Sequence, residues 1–90
     1  MTQSHWKPDL YVLSRFLEVL WMRHKNYKKT NLQMAVTLNY DVYMKYFHWL
    51  EEKRLITTYI EDEHQYVKIT AKGADVYNTI VVWIKETIGG

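Results

Sequence analysis

Residues 38–73 read LNYDVYMKYFHWLEEKRLITTYIEDEHQYVKITAKG. Tyr43, Tyr46, Phe47 and Leu50 stand at i, i+3, i+4 and i+7, the spacing of one buried helical face. The opposite face carries Asp41, Met44, Lys45, His48 and Glu52. Asn39 is a good N-cap for this helix, and Asp41 in its first turn suits the helix dipole. The pattern then changes period. Residues 54–61 are rich in β-branched residues and tyrosine, and residues 65–69 alternate, with Val67 and Ile69 on one side and Tyr66 and Lys68 on the other. The link Glu61-Asp62-Glu63-His64 has neither Gly nor Asn. That argues against a tight two-residue turn and for a loop of about four residues. Thr70 then caps another helix.

Working outward, Pro8 suits the first position of a helix over residues 8–24. Leu10, Leu13, Leu17 and Leu20 form one stripe with Phe16 beside it, while Val12, Val19, Trp21 and Met22 lie off it. Apolar residues on two faces imply two burial partners. Residues 26–29 break the period and read as a loop. Thr30 can cap a short helix over residues 30–37, with Leu32, Ala35 and Val36 on its apolar side. About three residues separate it from the helix at 40–53, which is the helix-turn-helix pattern. A hairpin over 55–69 and a helix over 71–88 follow. In that last helix Val76, Tyr77, Ile80, Val81, Val82, Trp83, Ile84 and Ile88 cover most of the circumference, and residues 80–84 include no polar side chain. So few elements cannot wrap such a helix, which implies that a second copy covers it. Gly73 near its start is read as tolerable. The whole is one α+β domain over residues 1–90: a winged helix-turn-helix with a three-helix core, a two-stranded wing and a C-terminal dimerisation helix.

The run Leu38-Asn39-Tyr40 through Tyr46-Phe47, Leu50 and Leu55-Ile56 resembles the small archaeal winged helix-turn-helix regulators related to MarR and PadR proteins, some of them encoded by archaeal viruses. Val67-Lys68-Ile69-Thr70-Ala71-Lys72-Gly73, with Tyr66 before it, is similar to that family's Tyr-x-Ile-Thr-x-x-Gly element. The resemblance covers residues 10–88 and implies DNA binding and transcriptional control. Two departures stand out. Arg54 replaces the usual Gly before Leu55-Ile56, implying an ordinary φ there. The wing tip is acidic where a phosphate-gripping wing is commonly basic.

Ninety residues with 48% hydrophobic and 16% aromatic content are compatible with a tightly packed core or with surface buried against a second copy. The absence of cysteine excludes disulfides, thiol catalysis and cysteine-based zinc sites. No apolar run is long enough to span a bilayer and no signal-peptide pattern opens the chain, so a cytoplasmic location is expected, the host's if the chain is viral. Net charge is only +2, but Arg23, His24, Lys25, Lys28 and Lys29 cluster, as do Glu61, Asp62 and Glu63. The four histidines show no convincing metal spacing, no Ser-His-Asp arrangement is visible, and no glycine loop could cradle phosphate. No enzyme, metal, cofactor or small-molecule effector is expected.

A DNA reader needs cations for phosphates and hydrogen-bonding groups for base edges. Lys28, Lys29 and Thr30 are the candidate phosphate contacts at the start of the second helix. Asn39, Tyr40, Asp41, Met44, Lys45 and His48 are the candidate major-groove residues. For Tyr40 and Met44 the competing reading is partial core packing. Trp6, Tyr11, Trp21, Tyr77, Val81, Trp83, Ile84 and Ile88 are expected at a homodimer interface. The expected partner is double-stranded DNA, bound sequence-specifically by a two-fold dimer. The alternative is a winged helix used for protein–protein contact, favoured by the acidic tip and low net charge.

Overall fold

A computed structural model of the protein describes residues 6–22 and 26–87. The elements run α1 (Leu10–Trp21), β1 (Tyr27–Lys28), α2 (Lys29–Val36), α3 (Tyr40–Glu52), β2 (Ile56–Glu61), β3 (His64–Ile69) and α4 (Ala71–Thr87). The expected winged-helix order is present, with one addition. The segment read as a loop over 26–29 contains a short strand. It makes the sheet three-stranded, in the order β1-β3-β2, with Tyr27 opposite Val67 and Lys28 opposite Tyr66. Two residues carry no periodicity, so only the pairing reveals the strand.

Asp9 caps α1, accepting from the N–H groups of Tyr11 (2.8 Å) and Val12 (3.2 Å). Pro8 therefore precedes the cap and does not occupy the first helical position. The helix ends at Trp21, and the last two residues of the expected helix, 23 and 24, lie outside the described residues. Leu13, Phe16, Leu17 and Leu20 are buried, whereas Leu10, expected on the same stripe, is 45% exposed. Thr30 is not the cap of α2. The helix begins at Lys29, and Lys28 holds the cap position without a side-chain hydrogen bond.

The expected buried face of α3 is buried in full: Tyr43, Tyr46, Phe47 and Leu50. Asn39 caps it, accepting from Val42 N–H at 2.9 Å. Tyr43 stacks on Phe16 at 5.8 Å and donates its hydroxyl to the Lys29 carbonyl at 2.6 Å, so one side chain ties α3 to α1 and α2. With Leu32, Val36, Leu55, Ile56, Val67 and Tyr77 these residues form the core.

Two backbone expectations fail. Arg54 has φ 63°, in the left-handed region that favours glycine. Its N–H donates to Glu51 O at 3.0 Å and that of Leu55 to Leu50 O at 2.9 Å, the paired bonds of a Schellman C-cap. Arginine here takes a backbone conformation that favours glycine. The wing turn is also tighter than expected. Glu61 pairs with His64, leaving only Asp62 and Glu63 in the turn, at φ 52° and 66°. Positive φ at both central residues is the requirement of a type I′ hairpin. Asp62 tolerates this conformation, and sheet pairing on either side imposes it on Glu63, which does not favour it.

Gly73 is required by its surroundings. A Cβ there would lie 2.0 Å from the Leu55 carbonyl oxygen and 2.8 Å from Ile69 Cγ1. Thr70 completes the joint. Its Oγ1 accepts from Gly73 N–H at 3.0 Å and donates to Arg54 O at 2.7 Å. The Ile-Thr-x-x-Gly element thus pins the start of α4 onto the turn between α3 and β2. Among the described residues, no helix is long and apolar enough to cross a membrane.

Candidate nucleic-acid interface

Burying Tyr43, Tyr46, Phe47 and Leu50 fixes what α3 shows to solvent. Tyr40, Asp41, Lys45 and His48 are exposed on its outer side, and Asn39 is exposed at its front. Tyr40 is 61% exposed, so the core-packing alternative does not hold for it. Met44 is half-buried and packs against the core, consistent with that alternative. The side chains of Tyr40, Asp41 and Lys45 make no hydrogen bond or ion pair with other described residues. Glu51 and Glu52 bring two carboxylates to the C-terminal end of the helix. The N-terminal half is therefore the less acidic half.

The start of α2 lies beside the wing tip. Lys28, Lys29 and Thr30 line one wall of a cleft of about 180 Å³, and Glu63, His64 and Gln65 line the other. Lys29, expected at phosphate, holds its ammonium 4.8 Å from the centre of the Phe47 ring, a cation–π contact. Among the described residues, Lys28 and Thr30 make no comparable contact. Since Lys28 provides no cap, the first N–H groups of α2 are not satisfied by the cap side chain.

The residues expected at a dimer interface fall into three groups. Trp21, Val81, Trp83 and Ile84 are exposed or half-buried on α1 and α4, as is Tyr11 further toward the start of α1. Tyr77 is only 8% exposed. Its ring lies 6.4 Å from Trp21 and its hydroxyl 3.3 Å from Glu18 Oε2, so it joins α1 to α4 within one chain. Trp6 sits against α3, edge-on to Tyr46 at 5.1 Å, and shares a groove with Lys45, His48, Trp49 and Glu52. Ile88 lies outside the described residues. Val82, absent from the expected set, is as exposed as Trp83 and lines the same α4 groove with Asn78, Thr79 and Glu86. Its place in the apolar run 80–84 was the available signal.

A helix-turn-helix followed by a two-stranded wing is the winged-helix architecture. The sequence profile described as winged helix-turn-helix matches residues 12–87. The chain belongs to the winged helix-turn-helix family. Among solved structures, MepR, a transcription regulator of the Staphylococcus aureus multidrug efflux pump MepA, superposes with a TM-score of 0.73 at 16% identity. That match covers 83% of this chain and 57% of MepR, so the chain spans a little over half of MepR's length. One MepR variant was crystallised bound to an oligodeoxyribonucleotide. Sso10a-2, a DNA-binding protein from Sulfolobus solfataricus, matches with a TM-score of 0.65 at 22% identity, over 81% of this chain and 77% of that one. AF1382 from Archaeoglobus fulgidus matches at 0.67 and 13%, over 86% and 87%. At these identities the likeness is one of fold. No curated relative matches the chain in sequence.

Proposed function

We propose that this winged helix-turn-helix protein binds double-stranded DNA as a homodimer and regulates transcription by occupying a two-fold site. The observation that carries this reading is the exposed outer side of α3, where Asn39, Tyr40 and Asp41 lie at the capped N-terminus and Lys45 and His48 follow along the same side. Recognition helices read base edges with such N-terminal residues. Lys45 suits guanine or phosphate, Asp41 suits the cytosine amino group, and Tyr40 offers apolar contact to a thymine methyl. Lys28, Thr30 and the N–H groups at the start of α2 would hold a phosphate, joined by Lys29 once its ammonium leaves Phe47. That MepR is a transcription regulator and Sso10a-2 a DNA-binding protein supports the same reading.

The exposed carboxylates of Glu61, Asp62 and Glu63 favour a second reading, a winged helix that contacts another protein. Salt dependence separates the two. Duplex affinity should fall steeply with salt, because each neutralised phosphate releases counterions. In an anisotropy titration of mixed-sequence duplex, Lys28→Ala with Lys45→Ala should weaken binding and reduce the log–log salt slope by about 2. Absence of any duplex binding at low salt would sink the DNA reading and leave the protein-contact one.

A further inference from the structure

The three-stranded sheet has a second face. Directly opposed residues in antiparallel strands project to the same side. Tyr27 and Val67 therefore face the core, while Lys28 and Tyr66 face away from it. Alternation along β2 and β3 adds Thr57, Tyr59 and Lys68 to the outer side. There Tyr59 and Tyr66 stack with ring centroids 5.5 Å apart and planes at 17°. Lys68 Nζ lies 6.0 Å from the Tyr59 ring centre, and Asn26 Nδ2 donates to the Tyr59 hydroxyl at 2.8 Å. Neither tyrosine belongs to the hydrophobic core.

We propose that this outer sheet face binds single-stranded nucleic acid, with unpaired bases stacking on the Tyr59–Tyr66 pair and phosphates held by Lys28 and Lys68. The charge pattern supports that occupant. On this face the tyrosine pair has Lys68 as its neighbour on one side, Glu61 and His64 on the other toward the wing tip, and Lys28 beside Tyr66 on β1, so cations outnumber the carboxylate two to one. A cross-strand tyrosine pair by itself stabilises a hairpin. Two lysines diagonal to one another across β1 and β3 do not, because like charges on one face repel. A phosphodiester between them removes that repulsion. Aromatic platforms with flanking cations bind unpaired strands because every base has a π-face, whereas a duplex hides its base faces within its own stack.

The test is anisotropy at low salt with the full chain and a labelled single-stranded oligodeoxythymidine of about 12 nucleotides. The double variant Tyr59→Leu, Tyr66→Leu should weaken single-strand binding by about tenfold or more, and leave duplex affinity unchanged. Tyr66→Phe, which keeps the ring, should retain binding, and Lys68→Gln, a surface change that spares the fold, should reduce it. Lys45→Ala, on α3, should leave single-strand affinity intact. The proposal is overturned if the oligonucleotide does not bind, or if Lys68→Gln has no effect. It is equally overturned if Lys45→Ala abolishes single-strand binding, because α3 is then the surface in use. Loss of duplex binding alone overturns the regulator reading and leaves this one standing.

Discussion

At the scale of single residues, Arg54 and Gly73 take glycine logic in opposite directions. Arg54 sits at φ 63°, where a side chain costs about 1 kcal/mol relative to glycine. Arg54→Gly should therefore stabilise the fold by about 1 kcal/mol, raising Tm by roughly 4–8 °C in a domain this small. Thermal unfolding followed by circular dichroism checks it, and a lower Tm would show that the Arg54 side chain contributes more than its backbone costs. Gly73 is the reverse case. Its neighbour is a backbone carbonyl, which cannot rotate away as a side chain could. Gly73→Ala should push α4 off the α3–β2 turn and destabilise by about 3 kcal/mol, the upper end for overpacking. Denaturant melts of the two variants side by side should move in opposite directions. Neither effect was legible from residue type. Arg54 suggested an ordinary φ, and Gly73 near a helix start suggested mere tolerance.

At the scale of elements, the helices could be read because burial repeats every 3.6 residues. Tyr43, Tyr46, Phe47 and Leu50 announced the inner side of α3, and so defined its outer side by subtraction. What could not be read is structure that neighbours impose. β1 exists only through its pairing with β3, and the tight wing turn closes on Asp62 and Glu63 because strand register demands it. The same limit applies at the candidate interface. The cluster Lys28-Lys29 was visible, but the position of the Lys29 ammonium over Phe47 depends on how α2 meets α3. That junction also carries a pH dependence. Burial, and secondarily the neighbouring Tyr40, raises the pKa of Tyr43 well above the ordinary phenol value, and burial followed by Glu18 raises that of Tyr77. The folded state holds these protons more tightly than the unfolded chain. Their contribution is fully present below the unfolded pKa of about 10 and is lost as pH rises beyond it. Tyr43→Phe should cost about 1 kcal/mol at neutral pH through the lost bond to Lys29 O. Between neutral pH and about pH 11 it should then lose about 1.4 kcal/mol less stability than the parent. Urea titrations at the two pH values measure both quantities. Equal losses in parent and variant would mean that Tyr43 ionises as freely in the fold as out of it.

At the scale of the whole molecule, the apolar surface of α4 decides the assembly. The first half of the helix is anchored within the chain by Gly73 and Tyr77, but Val82 and Trp83 are each about half exposed, and Ile80, Val81 and Ile84 only half-buried. Trp21 and Met22 extend exposed apolar surface to the end of α1. A contiguous patch of this kind on a small protein marks an interaction surface. On the proposed reading a second copy is the occupant, because a two-fold DNA site requires two recognition helices about 34 Å apart. Light scattering at micromolar concentration should give about twice the 11.0 kDa of one chain. The Trp83 side chain makes no ring, hydrogen-bond or ion-pair contact with the described residues, so Trp83→Glu should keep the helix content of the single chain. A carboxylate buried against its own symmetry mate is another matter, because it must be desolvated without a partner. The variant should scatter as a single chain. Its duplex affinity should fall by about 100-fold, since each half must then bind without the effective concentration that linkage supplies. A parent protein that scatters at 11.0 kDa would remove the two-fold geometry and leave only single-site contacts for α3 to make.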